Sequence, residues 1–121
     1  GVFTGETFGA YFTDKFNLLT GWGANSELDA LYAGAFIEEL DMHDIIQCPT
    51  VIVEMDNGIG EDECGLVYTD SKAIKNAYNS LVDGSESHLR AYVGQIEAVI
   101  GAGNYVAQYL PQETVDAILG R

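Results

Sequence analysis

Glu39 and His43 stand one helical turn apart in the segment LYAGAFIEELDMHDII. A carboxylate oxygen and an imidazole nitrogen at i, i+4 can meet one metal ion. On a wheel of about 100° per residue, Leu28, Tyr32, Ala35, Met42 and Ile46 point one way. Glu39 falls among them, His43 lies on the same side, and Glu38 marks the other edge. A carboxylate centred on an apolar stripe is costly unless it is paired, protonated or metal-bound. Three readings stay open. Glu39 belongs to a structural polar network, accepting hydrogen bonds from Tyr78, Tyr92 or a histidine; it belongs to a ligand site or a site for a divalent ion (iron, zinc or calcium); or it is exposed, an accident of the wheel. A second stripe runs through Tyr78, Leu89 and Ile96 and is broken by Ser85, with His88 on one flank and Glu86 on the other. Both histidines thus lie near a polar break in a helix stripe, and the breaks are placed to face each other. The metal candidates are Glu38, Glu39, His43, Glu86 and His88.

Other chemistry has less to work with. Asp56, Asn57, Glu61, Asp62 and Glu63 are hard oxygen ligands suited to calcium if they converge. Their order departs from the EF-hand pattern, and a solvated acidic loop is the reading preferred. The chain carries no nucleophile elbow, phosphate-binding loop or dinucleotide fingerprint. Gly101-Ala102-Gly103 ends a helix instead of opening one. Nineteen acids against five bases give a net charge of -14, which disfavours nucleic acid and anionic membrane surfaces. It suits solubility in an extracellular or saline medium. No apolar run reaches the ~18 residues of a membrane span. No signal peptide is visible, and a first residue of Gly1 predicts a mature or trimmed terminus.

Cys48 and Cys64 are the only cysteines. Their spacing fits neither a CxxC redox pair nor a paired-CxxC zinc site. Oxidised, they would close a loop of roughly fifteen residues and contribute about 3 kcal/mol in the chain-entropy model. Free thiols are the alternative. The disulfide is the expectation, and it implies an extracellular, periplasmic or cell-surface location.

These residues need helices to position them. Periodicity predicts one over about 5–20, capped by Thr4 and broken at Gly21-Trp22-Gly23. A second covers 26–47, capped by Ser26 with Glu27 in its first turn. The loop over 48–64 is expected to hold a short hairpin or extended segment, entered through Pro49. Stretches 70–82 and 85–101 keep one apolar face across Asp83-Gly84, which favours a single long helix. A last helix spans 111–119 with Pro111 at its first position. The fold class is all-α. Two long helices cannot enclose a core alone, so the short helices, the loop or another chain must complete it.

Three stretches in order, ALYAGAFIEELDMHDI, NAYNSLVDGSESHLRAYVGQIE and YVAQYLPQETVDAILGR, resemble an uncharacterised ferritin-like family known as domain of unknown function 2202. CGLVYTD after the loop is similar too, and GSESHLRAY is the most specific piece. The resemblance implies a four-helix ferritin-like bundle in which 1–121 is a single helical domain or the C-terminal half, two further helices preceding Gly1. Ferritin-like di-metal sites take a Glu from two helices and Glu-x-x-His from the other two. On that pattern Glu39 (or Glu38) suits the third helix and His88 the fourth. Position 85 is Ser where the motif has Glu, which points to a one-metal site or to a bundle that kept its fold and lost its metal. The expected function is a secreted or surface module for binding or self-assembly, without clear catalytic machinery. The alternative is a metal-binding protein, with oxidase activity as its extension. Expected partners are identical copies or the N-terminal half.

Overall fold

A computed structural model describes residues 4–5, 8–55, 58–60 and 63–121. The described residues form five helices: α1 (Gly9–Gly23), α2 (Glu27–Ile46), α3 (Thr50–Glu54), α4 (Lys72–Ile100) and α5 (Gln112–Leu119). The all-α expectation holds, with α2 and α4 as the main packing pair, α1 on α2, and α5 on α4.

The starts of α2 and α4 follow their capping residues. Ser26 accepts from the Asp29 amide at 3.0 Å, and Glu27 and Asp29 place negative charge in the positive first turn of α2. Ser71 accepts from the Ile74 amide at 3.4 Å at the head of α4. That helix runs unbroken through Asp83-Gly84 for 29 residues, as the shared apolar face requires. It stops at Gly101, whose φ of 104° suits glycine.

Four local expectations change. Thr4 does not cap α1, which begins at Gly9 after Phe8 without a side-chain cap; residues 6–7 of the expected start lie outside the described residues. The Gly21-Trp22-Gly23 stretch stays helical, where the Trp22 ring packs edge-on against Phe36 of α2 at 6.3 Å. In place of a hairpin the cysteine loop forms the five-residue α3. A side chain from α2 starts it: the Asp44 carboxylate accepts from the Thr50 amide at 3.0 Å and from its hydroxyl at 3.3 Å. Pro49 is extended as expected, but Pro111 sits one place before α5 instead of inside it.

The C-terminus of α2 is completed from a distance. The Leu66 and Val67 amides donate to the Ile45 and Ile46 carbonyls, both at 3.0 Å. These carbonyls belong to the last turn, where a helix cannot satisfy its own acceptors. Gly65 makes the crossing possible. Its φ is 76°, and a Cβ there would overlap the Gln47 carbonyl. The Cys48–Cys64 disulfide, with Cα atoms 4.8 Å apart, holds the crossing chain beside Cys48.

The core lies between α2 and α4 and under the tail. Ala35, Met42, Leu89, Val93, Ile96, Tyr105 and Val115 form it, and each larger aliphatic contributes about 1.5–3 kcal/mol. Gly34 lets the Tyr92 ring lie against α2, since a Cβ there would meet that ring. Arg121 closes the tail onto α4 with bonds of 3.0 and 2.6 Å to the Glu97 carboxylate. The guanidinium, helped by the Gly103 and Tyr105 amides, lowers the Glu97 pKa to about 2.

Candidate functional site

The two polar breaks do meet, one residue away from where the wheel centred them. Glu38, at the α2 edge, places Oε1 3.2 Å from Nδ1 of His88 on α4. The Glu38 side chain is mostly covered and the His88 ring largely exposed. Ser85 and Asp41 line the same shallow surface depression.

Glu39 is fully buried, and its donors are not Tyr78, Tyr92 or a histidine but groups of the 105–110 turn. Its Oε1 accepts from the Tyr105 hydroxyl at 2.7 Å. The Gln108 amide reaches both oxygens, at 3.2 and 3.0 Å. The Tyr109 and Leu110 amides donate to Oε2 at 2.7 and 2.9 Å. Gln108 then ties the turn down, its Nε2 donating to the Tyr32 carbonyl and to the Tyr105 oxygen, both at 2.9 Å. Burial first, then the Glu39 carboxylate, pushes the Tyr105 phenol above its usual range. This is a carboxylate held by a turn of backbone amides, the polar-network reading with different donors.

The remaining candidates have other partners. His43 Nδ1 lies 3.0 Å from Asp44 Oδ1, and its ring packs edge-on against Tyr109 at 5.2 Å. Glu86 pairs with Arg90 at 3.0 Å, and Arg90 Nε donates to the Ile118 carbonyl at 2.9 Å. Glu38 and His88 are therefore the pair from this set brought into contact. Among the described residues no three His, Cys, Asp or Glu side chains gather as a metal cluster would. Of the loop's oxygen ligands, Asp56, Asn57, Glu61 and Asp62 lie outside the described residues. The Glu63 carboxylate accepts from the Gly60 amide at 2.6 Å.

Sequence reasoning missed a second feature. Tyr11, Phe12 and Phe16 of α1 and Phe36, Ile37 and Leu40 of α2 line an open apolar groove of about 410 Å³. Thr50, Val51 and Glu54 of α3 contribute to its wall, and Asp41 stands at its rim. Lys15 and Glu54 pair at 3.5 Å on the wall formed by α1 and α3. The signal was present in the α1 aromatics at helical spacing, but these read equally as core.

The sequence profile of an uncharacterized protein domain, DUF2202, matches residues 1–121. The chain belongs to the DUF2202 family. It is similar to the uncharacterized protein MJ0754 of Methanocaldococcus jannaschii, 31% identical over 119 residues that cover 98% of this chain and 52% of the relative. The chain thus spans about half the length of that curated relative. No solved structure matches it. In this DUF2202 chain no described helix is long and apolar enough to cross a membrane. The formed disulfide is consistent with an oxidising compartment.

Proposed function

We propose that this chain is a ferritin-like helical module that works by binding or assembly outside the reducing cytosol. One observation carries the reading: large apolar side chains remain open on several elements. Leu18, Leu81, Val99 and Val106 are each more than half exposed, and the α1–α2 groove adds a continuous apolar surface. Exposed apolar area that is contiguous marks an interaction surface more often than a free one. Two long helices with short flanking pieces need further helices for a four-helix bundle. Those come from a second copy or from a longer polypeptide of the kind MJ0754 represents. Light scattering on the purified chain tests self-assembly. A dimer or larger species is expected, with a melting temperature that rises with concentration. A compact, cooperatively melting monomer at all concentrations overturns it.

A second reading rests on the Glu38–His88 contact across α2 and α4. There the module holds a divalent transition metal through one carboxylate and one imidazole, with added ligands from its partner helices. Elemental analysis of protein purified without chelator is expected to find bound metal, lost in Glu38→Ala/His88→Ala. A metal-free wild type, or metal retained by the double variant, removes this reading.

A further inference from the structure

The α1–α2 groove has a charge pattern that selects its occupant. Glu38, Asp41 and Asp44 lie three residues apart on α2, so neighbouring carboxylates are about one turn apart. Glu38 is engaged by His88. Asp44 is engaged by Thr50 and His43. The Asp41 carboxylate, exposed at the groove rim, makes no hydrogen bond or ion pair with a described residue. Desolvation, then the charges of Glu38 and Asp44, raise its pKa. A cation placed there would offset two like charges and an unpaired third.

The chain itself is poorly supplied to provide that cation. Of its five basic residues, Lys15, Arg90 and Arg121 already hold Glu54, Glu86 and Glu97. Lys72 and Lys75 belong to the first turn of α4. A second copy would bring nineteen acids with its five bases. Groove shape narrows the partner further. Its long walls are helices, and the described residues include no strand whose edge could pair with an extended peptide. An amphipathic helix fits such a groove through apolar side chains at i, i+3/4 and i+7. The fifteen residues of α1 set a contact length of about 22 Å, or some four turns.

We propose that the groove between α1 and α2 docks a basic amphipathic helix from another polypeptide, its apolar stripe covering Phe16 and Ile37 and a flanking lysine or arginine meeting Asp41. The inference rests on the binding reading above, and it names the partner's chemistry. Affinity comes from the apolar stripe, while orientation and selectivity come from the cation at Asp41. Lys15 on the wall shared by α1 and α3 disfavours a second basic row there, so the partner's positive charge belongs on one flank only.

Trp22, the only tryptophan, touches the groove residue Phe36 and provides the readout. The probe is a tryptophan-free leucine–lysine amphipathic peptide of about fifteen residues, titrated at ~150 mM salt to screen general charge. Its controls carry glutamine or glutamate in place of lysine. The lysine peptide is expected to saturate one to one, the glutamine peptide to bind more weakly, and the glutamate peptide not to bind. Asp41→Asn should weaken the lysine peptide about fivefold or more and leave the glutamine peptide unchanged. Ile37→Gln should weaken both, while Asp83→Asn and Glu113→Gln, with wild-type melting, should weaken neither. Absence of saturable binding overturns the proposal. So does an equal loss in Asp41→Asn and Asp83→Asn, which would show attraction to net charge alone. If the chain self-associates, Ile37→Gln dissociates it and the lysine peptide fails to bind, the groove belongs to a second copy: this proposal falls and the assembly reading stands. If the chain is monomeric and the peptide binds through Asp41, self-assembly falls and this proposal stands.

Discussion

Glu39→Ala is expected to remove about 3–5 kcal/mol of folding stability, the cost of stripping the acceptor from a buried charge-assisted network. Glu39 is fully covered, and its two oxygens serve the Tyr105 hydroxyl and the amides of Gln108, Tyr109 and Leu110. Alanine would leave those donors facing a dry gap. Domains of this size have about 5–15 kcal/mol in total, so the variant should unfold at much lower urea. Glu39→Gln keeps the shape but turns a donor toward donors, and should cost about 1–3 kcal/mol. Tyr105→Phe removes two bonds, the donation to Glu39 and the acceptance from Gln108, and should cost about 1–3 kcal/mol. Urea unfolding followed by Trp22 fluorescence measures all three. Hydrogen exchange at the amides of 108–110 should accelerate in Glu39→Ala before the helices open. A change within ~0.5 kcal/mol, with those amides still protected, would show that the tail is held by something other than this carboxylate.

The same network decides how metal experiments should be read. A metal at Glu39 would have to displace hydrogen bonds that anchor the α4–α5 connection onto α2. Loss of metal in Glu39→Ala would then report unfolding as readily as a lost ligand. Glu38 and His88 avoid this ambiguity. Their contact lies at the surface of the α2–α4 pair, and removing either side chain leaves the core and the 105–110 turn in place.

What the sequence could reveal follows the range of each interaction. Ser26 and Gly101 act on their own helix ends, and the start of α2 and the end of α4 were legible from them; Ser71 caps α4 by the same local rule. The stripe on α2 located the buried carboxylate because burial follows helical periodicity. Its donors were hidden, since backbone amides of 108–110 have no residue signature and residues 101–110 have no helical period. The start of α3 depends on Asp44 across a sequence gap, so its five residues read as strand or loop. Glu38 rather than Glu39 meets His88 because the packing of α2 on α4 chooses between adjacent residues, and one sequence does not state it. The groove aromatics were legible as apolar, but exposure is a property of what packs over them.

Opening the Cys48–Cys64 bond is expected to lower stability by about 3 kcal/mol, as estimated for a loop of this length. The loss should be local before it is global. The disulfide fixes the chain just before Gly65, and the next two residues donate to the Ile45 and Ile46 carbonyls. Without the bond the crossing segment gains conformational entropy, those carbonyls return to water, and the last turn of α2 frays. Asp44 belongs to that turn and starts α3, so the helix wall of the groove should loosen with it. Cys48 is fully buried, and a serine there would add a hydroxyl needing a partner. Reduced wild type and Cys48→Ala/Cys64→Ala are therefore the cleaner comparison. Both should unfold at lower urea, with faster hydrogen exchange at Leu66 and Val67. Exchange at core residues Leu89 and Val93 should change only as global stability falls. If reduction shifts stability by less than ~0.5 kcal/mol and Leu66 and Val67 stay protected, the amide crossing holds the loop unaided. The disulfide would then act on the excursion between the cysteines instead of on the end of α2, and the groove would keep its wall in a reducing medium.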